Sequence, residues 1–84
     1  MPKPRTNTGE KNLISKNLIA LREKHGLSQR DLSRLLQLKG YDMDKNVITR
    51  IETNKRYVTD IEVRALSQIF EITYEQLIDG DDDL

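Results

Sequence analysis

Between Leu13 and Lys24 the apolar residues Ile14, Leu18 and Leu21 recur at helical spacing, and they predict a first helix that stops at Gly26. Glycine suits the left-handed backbone just past a helix, while Lys24 and His25 suit the negative end of its dipole. Ser28 predicts an N-cap, supported by Asp31 in the first turn, for a second helix running to about Gln37 and burying Leu32, Leu35 and Leu36. The connector Leu38-Lys39-Gly40-Tyr41-Asp42-Met43 contains a glycine and reads as a turn. Asp44 then caps a third helix reaching about Thr53. On a helical wheel Val47, Ile48 and Ile51 share one side of it, and Lys45, Asn46, Thr49, Arg50 and Thr53 take the other.

The remaining pattern is shorter-ranged. Asn54-Lys55-Arg56-Tyr57-Val58 is a loop with two positive charges. Thr59-Asp60-Ile61-Glu62 has the form of a capping box and opens a fourth helix whose stripe is Ile61, Ala65, Leu66 and Ile69. Thr73-Tyr74-Glu75-Gln76 repeats the box for a short fifth helix carrying Leu77 and Ile78. Residues 1–9, with two prolines and no apolar period, predict a flexible basic arm, and residues 80–84 an acidic disordered tail. Residues 10–79 are left as one all-α domain of five helices without internal repeats.

Composition narrows this picture. A chain of 84 residues without cysteine has no disulfide or thiolate metal site to staple it, so apolar burial must hold the fold. No apolar run is long enough for a membrane span and no signal-peptide pattern opens the chain, so a cytoplasmic protein is expected. The formal net charge is zero, but it is unevenly spread. Residues 1–58 carry 13 Lys/Arg against 6 Asp/Glu, a net of +7, and residues 59–84 carry 1 against 8, a net of −7. One basic surface for phosphates and one acidic end turned away from them would produce this split.

Catalysis is poorly supported. His25 is the sole histidine and sits where a helix C-terminus favours a cation. The acidic cluster Asp79, Asp81, Asp82 and Asp83 lacks the ligand spacing of a calcium loop. No enzyme activity, metal or cofactor is expected.

Leu27-Ser28-Gln29, Leu32-Ser33, Ile48-Thr49-Arg50-Ile51-Glu52 and Asn54-Lys55-Arg56, in this order, resemble the Cro/phage-repressor-like helix-turn-helix domains over roughly residues 13–79. The resemblance implies a five-helix, lambda-repressor-like bundle with a lengthened turn inside its helix-turn-helix. It also implies a transcriptional regulator, in most members a repressor, that binds double-stranded DNA as a homodimer on a palindromic operator. The third helix would enter the major groove, which is about 12 Å wide and accepts one helix. Lys45, Asn46, Thr49 and Arg50 are then the base-contacting candidates, Arg suiting guanine and Asn adenine. Ser28, Gln29, Thr53, Asn54, Lys55 and Arg56 are the candidates for phosphate, with simple capping of its helix the alternative role for Gln29. Lys3 and Arg5 either reach around the duplex, as arms do in some relatives, or take no part. Glu52 would pair with Arg22 as a structural salt bridge locking the third helix to the first, since a carboxylate among phosphates is repelled.

The chain departs from the family pattern twice. The turn between the second and third helices is longer by about four or five residues. Glu71 stands where relatives usually place the glycine that closes the fourth helix, so a different local turn is expected. Val63, Tyr74 and Ile78 are apolar residues outside the predicted core and form the candidate dimer surface at the acidic end. A protein-partner module, such as an antitoxin of this fold, is the alternative. It would want a segment to wrap the partner, and the stretch after the fifth helix is short.

Overall fold

A computed structural model describes residues 9–80. Of the expected arm (1–9) and tail (80–84), residues 1–8, with Lys3 and Arg5, and 81–84 lie outside the described residues. Among the described residues there are five helices and no strand: α1 (Ser15–Lys24), α2 (Gln29–Leu38), α3 (Lys45–Glu52), α4 (Asp60–Phe70) and α5 (Tyr74–Asp79). None of them is long and apolar enough to cross a membrane.

The helix starts are dictated locally. Ser28 accepts from the Asp31 N–H while Asp31 accepts from the Ser28 N–H, and Thr59 with Glu62 and Thr73 with Gln76 repeat the reciprocal cap. Asp44 accepts from Val47 N–H at the head of α3. Each cap satisfies backbone donors that have no partner inside the helix. The first helix is the exception, with no side-chain cap at Ile14. It also starts later than Leu13, because Asn12 Oδ1 accepts from the Ile14 N–H at 3.1 Å and keeps this stretch non-helical.

The helix ends share one device. After α1, α2, α3 and α4 a residue with positive φ is followed by an N–H that reaches back to the carbonyl five residues earlier: Leu27 to Arg22, Tyr41 to Leu36, Lys55 to Arg50 and Ile72 to Ser67. This closure satisfies carbonyls of the last turn. Gly26 and Gly40 hold two of the left-handed positions without steric cost, but Asn54 and Glu71 hold the others, at φ 58° and 54°. The expectation of a different turn at Glu71 is therefore corrected. The left-handed turn is kept, and the glutamate bears its strain.

The core gathers Leu18 and Leu21 of α1, Leu32 and Leu36 of α2, Ile48 and Ile51 of α3, Leu66 of α4 and Leu77 of α5, all fully buried. Met43, from the connector, is buried with them. Two apolar residues, Leu35 and Ile61, deviate from expectation. Leu35 lies at the core margin with 38 % exposure, and Leu13 is exposed. Ile61, expected in the stripe of α4, is 64 % exposed, because α4 turns Ala65, Leu66 and Phe70 inward instead. His25 forms the C-cap of α1, its ring 5.2 Å from that of Phe70.

The long turn is fastened from within. Ser33, buried on α2, donates its hydroxyl to the Met43 carbonyl at 3.0 Å, and Tyr41 donates its own to Gln68 on α4 at 2.6 Å. Serine at position 33 therefore fixes the connector.

Candidate nucleic-acid interface

Helix α3 packs on both α1 and α2 through Ile48 and Ile51, which leaves its opposite face outward. Lys45, Asn46 and Arg50 are exposed there, and Thr49 is half-buried beside them. The side chains of Lys45, Asn46 and Arg50 make no hydrogen bond or ion pair with the described chain. Three long or amide-bearing side chains with free donors on one helix face can satisfy base edges.

A polar network holds this face in place. Arg22 Nε donates to Glu52 Oε2 at 2.8 Å and Nη2 donates to Oε1 at 3.0 Å, a two-pronged pair between α1 and α3. Arg22 Nη1 adds a bond to the Leu27 carbonyl at 3.0 Å. The hydrogen bond to Glu52 is the main reason the guanidinium is held charged even more firmly than usual. Gln29, the first residue of α2, donates from Nε2 to Glu52 Oε1 at 2.9 Å, and its Oε1 accepts from Thr49 Oγ1 at 2.8 Å. Three helices thus meet at Glu52, whose side chain is only 5 % exposed. An ion pair this shielded, with its remaining lone pairs bonded, resists loss of either partner.

A second fastening lies at the C-terminal end of α3. Asn54 Oδ1 accepts from the backbone N–H of Lys11 at 2.7 Å and of Asn12 at 3.1 Å. Its Nδ2 donates to the Asn12 carbonyl at 3.2 Å and to Ser15 Oγ at 3.3 Å. Asn12 answers with Nδ2 on the carbonyls of Ile51 and Arg56, at 3.2 and 3.0 Å. The two asparagines stitch the segment before α1 to the end of α3.

The phosphate candidates therefore separate. Ser28, Thr53 and Lys55 are exposed around the α3 face. Ser28 Oγ accepts from the Asp31 N–H in the cap, and hydrogen bonds from the Ser28 backbone N–H and then its side chain hold the Asp31 carboxyl below the usual carboxylate range. Gln29 keeps one amide hydrogen free after its bond to Glu52. Asn54 is taken out of the phosphate set, because both of its amide atoms are spent inside the chain. Arg56 is partly engaged: Nη2 pairs with Glu62 at 3.0 Å and Nε donates to the Tyr57 carbonyl at 3.2 Å, so it tethers the loop to the start of α4. Arg30, exposed beside Gln29, is a cation that sequence reasoning left out. Asn12 was also missed, and no local pattern marks it. Asn54 carried a signal, since asparagine just past a helix favours the left-handed closure.

A helix with free polar donors, braced by the helix and turn that precede it, is the geometry of groove-entering proteins. The family model described as helix-turn-helix, of the Cro/C1, lambda-repressor-like type, matches residues 18–77. The chain belongs to the helix-turn-helix family. Its all-α, five-helix fold is that of the lambda-repressor-like members, with residues 39–44 connecting the two helices of the motif. Neither curated proteins nor solved structures match the chain. Membership implies DNA binding in transcriptional regulation, and helix-turn-helix domains of this kind are typically non-catalytic. Among the described residues no cluster of His, Asp or Glu has the arrangement of a metal site.

Proposed function

We propose that this helix-turn-helix protein is a sequence-specific repressor that inserts α3 into the major groove and acts by covering a promoter. The observation that carries the reading is the outer face of α3, where Lys45, Asn46 and Arg50 stand exposed on a helix braced from behind by Arg22, Glu52 and Gln29. Lys45, Asn46, Thr49 and Arg50 read bases. Ser28, Gln29, Thr53 and Lys55 hold phosphates, with Arg30 added to them.

The working form is a homodimer on a palindromic site, in the cytoplasm. The apolar groove between α4 and α5 supports this. Ile61, Val63, Tyr74 and Ile78 line it, with Asp60 and Arg64 at its edge. Arg64 is kept firmly charged, first by its hydrogen bond with Tyr74. A two-fold axis there lets Asp60 of one copy face Arg64 of the other around an apolar centre. This groove belongs to the acidic half of the chain, so pairing through it leaves the basic α3 faces available to DNA.

Selection from a random duplex library at two salt concentrations tests the proposal. A palindromic motif whose enrichment survives the higher salt is the expected result. Salt-sensitive binding without any motif rejects sequence-specific repression and favours the protein-partner alternative.

A further inference from the structure

Thr49 is the one base-reading candidate whose hydroxyl is already engaged, and the chemistry of its neighbours decides what remains for DNA. Its Oγ1 lies 2.8 Å from Gln29 Oε1 and 2.9 Å from the backbone carbonyl of Lys45. The orientation of the Gln29 amide follows from its other neighbour. Both oxygens of the Glu52 carboxylate accept from Arg22, so the NH2 of Gln29 faces Glu52 and its carbonyl faces Thr49. Both atoms near the Thr49 hydroxyl are therefore pure acceptors. A hydroxyl has one hydrogen, and here it is held between these two carbonyl oxygens. What Thr49 offers outward is a lone pair of Oγ1 and its methyl group.

We infer that Thr49 reads DNA as a hydrogen-bond acceptor, selecting a base that presents an exocyclic amino group, adenine N6 or cytosine N4, at the position it faces. The inference rests on the proposed entry of α3 into the major groove. Guanine offers only acceptors at N7 and O6, and thymine offers O4 with its methyl group. Facing either, the Thr49 oxygen would meet another oxygen or a ring nitrogen with no hydrogen between them. Rotating the hydroxyl outward to donate would leave Gln29 Oε1 without its bond, so the network resists the switch. The preference thus originates in Arg22, three bonded residues away, whose two bonds hold the Glu52 carboxylate in place and so fix the amide. In this scheme Gln29 is a positioning residue for Thr49.

The experiment is library selection with the full chain and with Thr49→Val and Thr49→Ser, followed by binding to the selected duplex carrying single-base analogues. The wild type should select adenine or cytosine at one position per half-site. Thr49→Val, which keeps the shape and removes the oxygen, should lose preference there alone, while Thr49→Ser retains it. Replacing that base by its analogue without the amino group should weaken wild-type binding roughly three- to tenfold and leave Thr49→Val unchanged. The inference is overturned if guanine or thymine is selected, or if only replacing thymine by uracil matters, which would make the methyl group the reader. It is equally overturned if wild type and Thr49→Val select identical sites. A wild type that enriches no motif at all rejects groove reading itself, an outcome distinct from all of these.

Discussion

Helices α3 and α4 end with the same backbone turn and do different things with it. Each places a residue other than glycine in the left-handed region, Asn54 at φ 58° and Glu71 at φ 54°, and each closes with an N–H reaching back five residues. At the end of α3 the strained residue is useful. Asn54 makes four hydrogen bonds to Lys11, Asn12 and Ser15, which hold the start of the chain against the helix that faces DNA. At the end of α4 the glutamate is exposed and its side chain makes no hydrogen bond among the described residues. A left-handed non-glycine residue costs up to about 1–2 kcal/mol, least for asparagine. The α3 end offsets that cost with side-chain bonds, and the α4 end simply carries it. Polar order in this protein is concentrated behind the basic face.

The comparison is most directly broken at the lock above Asn54. Glu52→Ala should destabilise the fold by about 3 kcal/mol, because it strips Arg22 of its partner and Gln29 of an acceptor in a shielded site. Thermal melting should fall by roughly 12–24 °C for a domain of this size. A melting temperature within a few degrees of the wild type would show that the α3 end is not the ordered region described.

Asn54→Ala should cost about 2–3 kcal/mol, combining lost bonds with retained strain. Asn54→Gly, which relieves the strain, should still be destabilising by about 1 kcal/mol in chemical denaturation. If Asn54→Gly stabilised the protein, the stitching bonds would be worth less than the strain, and the contrast with α4 would collapse.

DNA contacts should follow the same division. Arg50→Ala on the outer face should weaken the selected site by roughly 1–3 kcal/mol and relax preference at its base. Lys55→Ala should weaken all sequences alike and reduce the salt slope by about one unit. Titrations on specific and random duplexes at several salt concentrations separate the two. Identical behaviour of both variants would dissolve the division between base and phosphate contacts.

The smallest effect should lie at α4. Glu71→Gly is expected to stabilise by about 0.5–1 kcal/mol, with the relief of strain partly offset by glycine's greater freedom when unfolded. Operator affinity should be unchanged. A destabilised Glu71→Gly would mean that the glutamate side chain supports the turn after all.

The sequence was legible wherever information is local. Reciprocal caps at Ser28, Thr59 and Thr73 announce helix starts within four residues, and Ile48 with Ile51 announces the buried side of α3. The spacing of Leu18, Leu21, Leu32 and Leu36 announces the core. Charge distribution and the ordered motifs around Ser28 and Arg50 suffice to recognise the family and the outward residues of its third helix. Ile61 shows where periodicity misleads: it falls in phase with Ala65, yet it lies at the edge of the groove between α4 and α5 and stays 64 % exposed.

What only the tertiary structure decided is the destination of the polar side chains. Lys55 and Arg56 are adjacent cations in one loop, yet the first faces solvent while the second is paired with Glu62. Asn54 looks like a phosphate ligand until Lys11 and Asn12, more than forty positions away, take both ends of its amide. Gln29 and Thr49 acquire a fixed direction of hydrogen bonding only because Arg22 arrives from a third helix. Apolar burial depends on which side of a helix a residue occupies, and spacing along the chain encodes that. A hydrogen bond depends on distance and angle to one particular atom, which exists only once distant segments have packed.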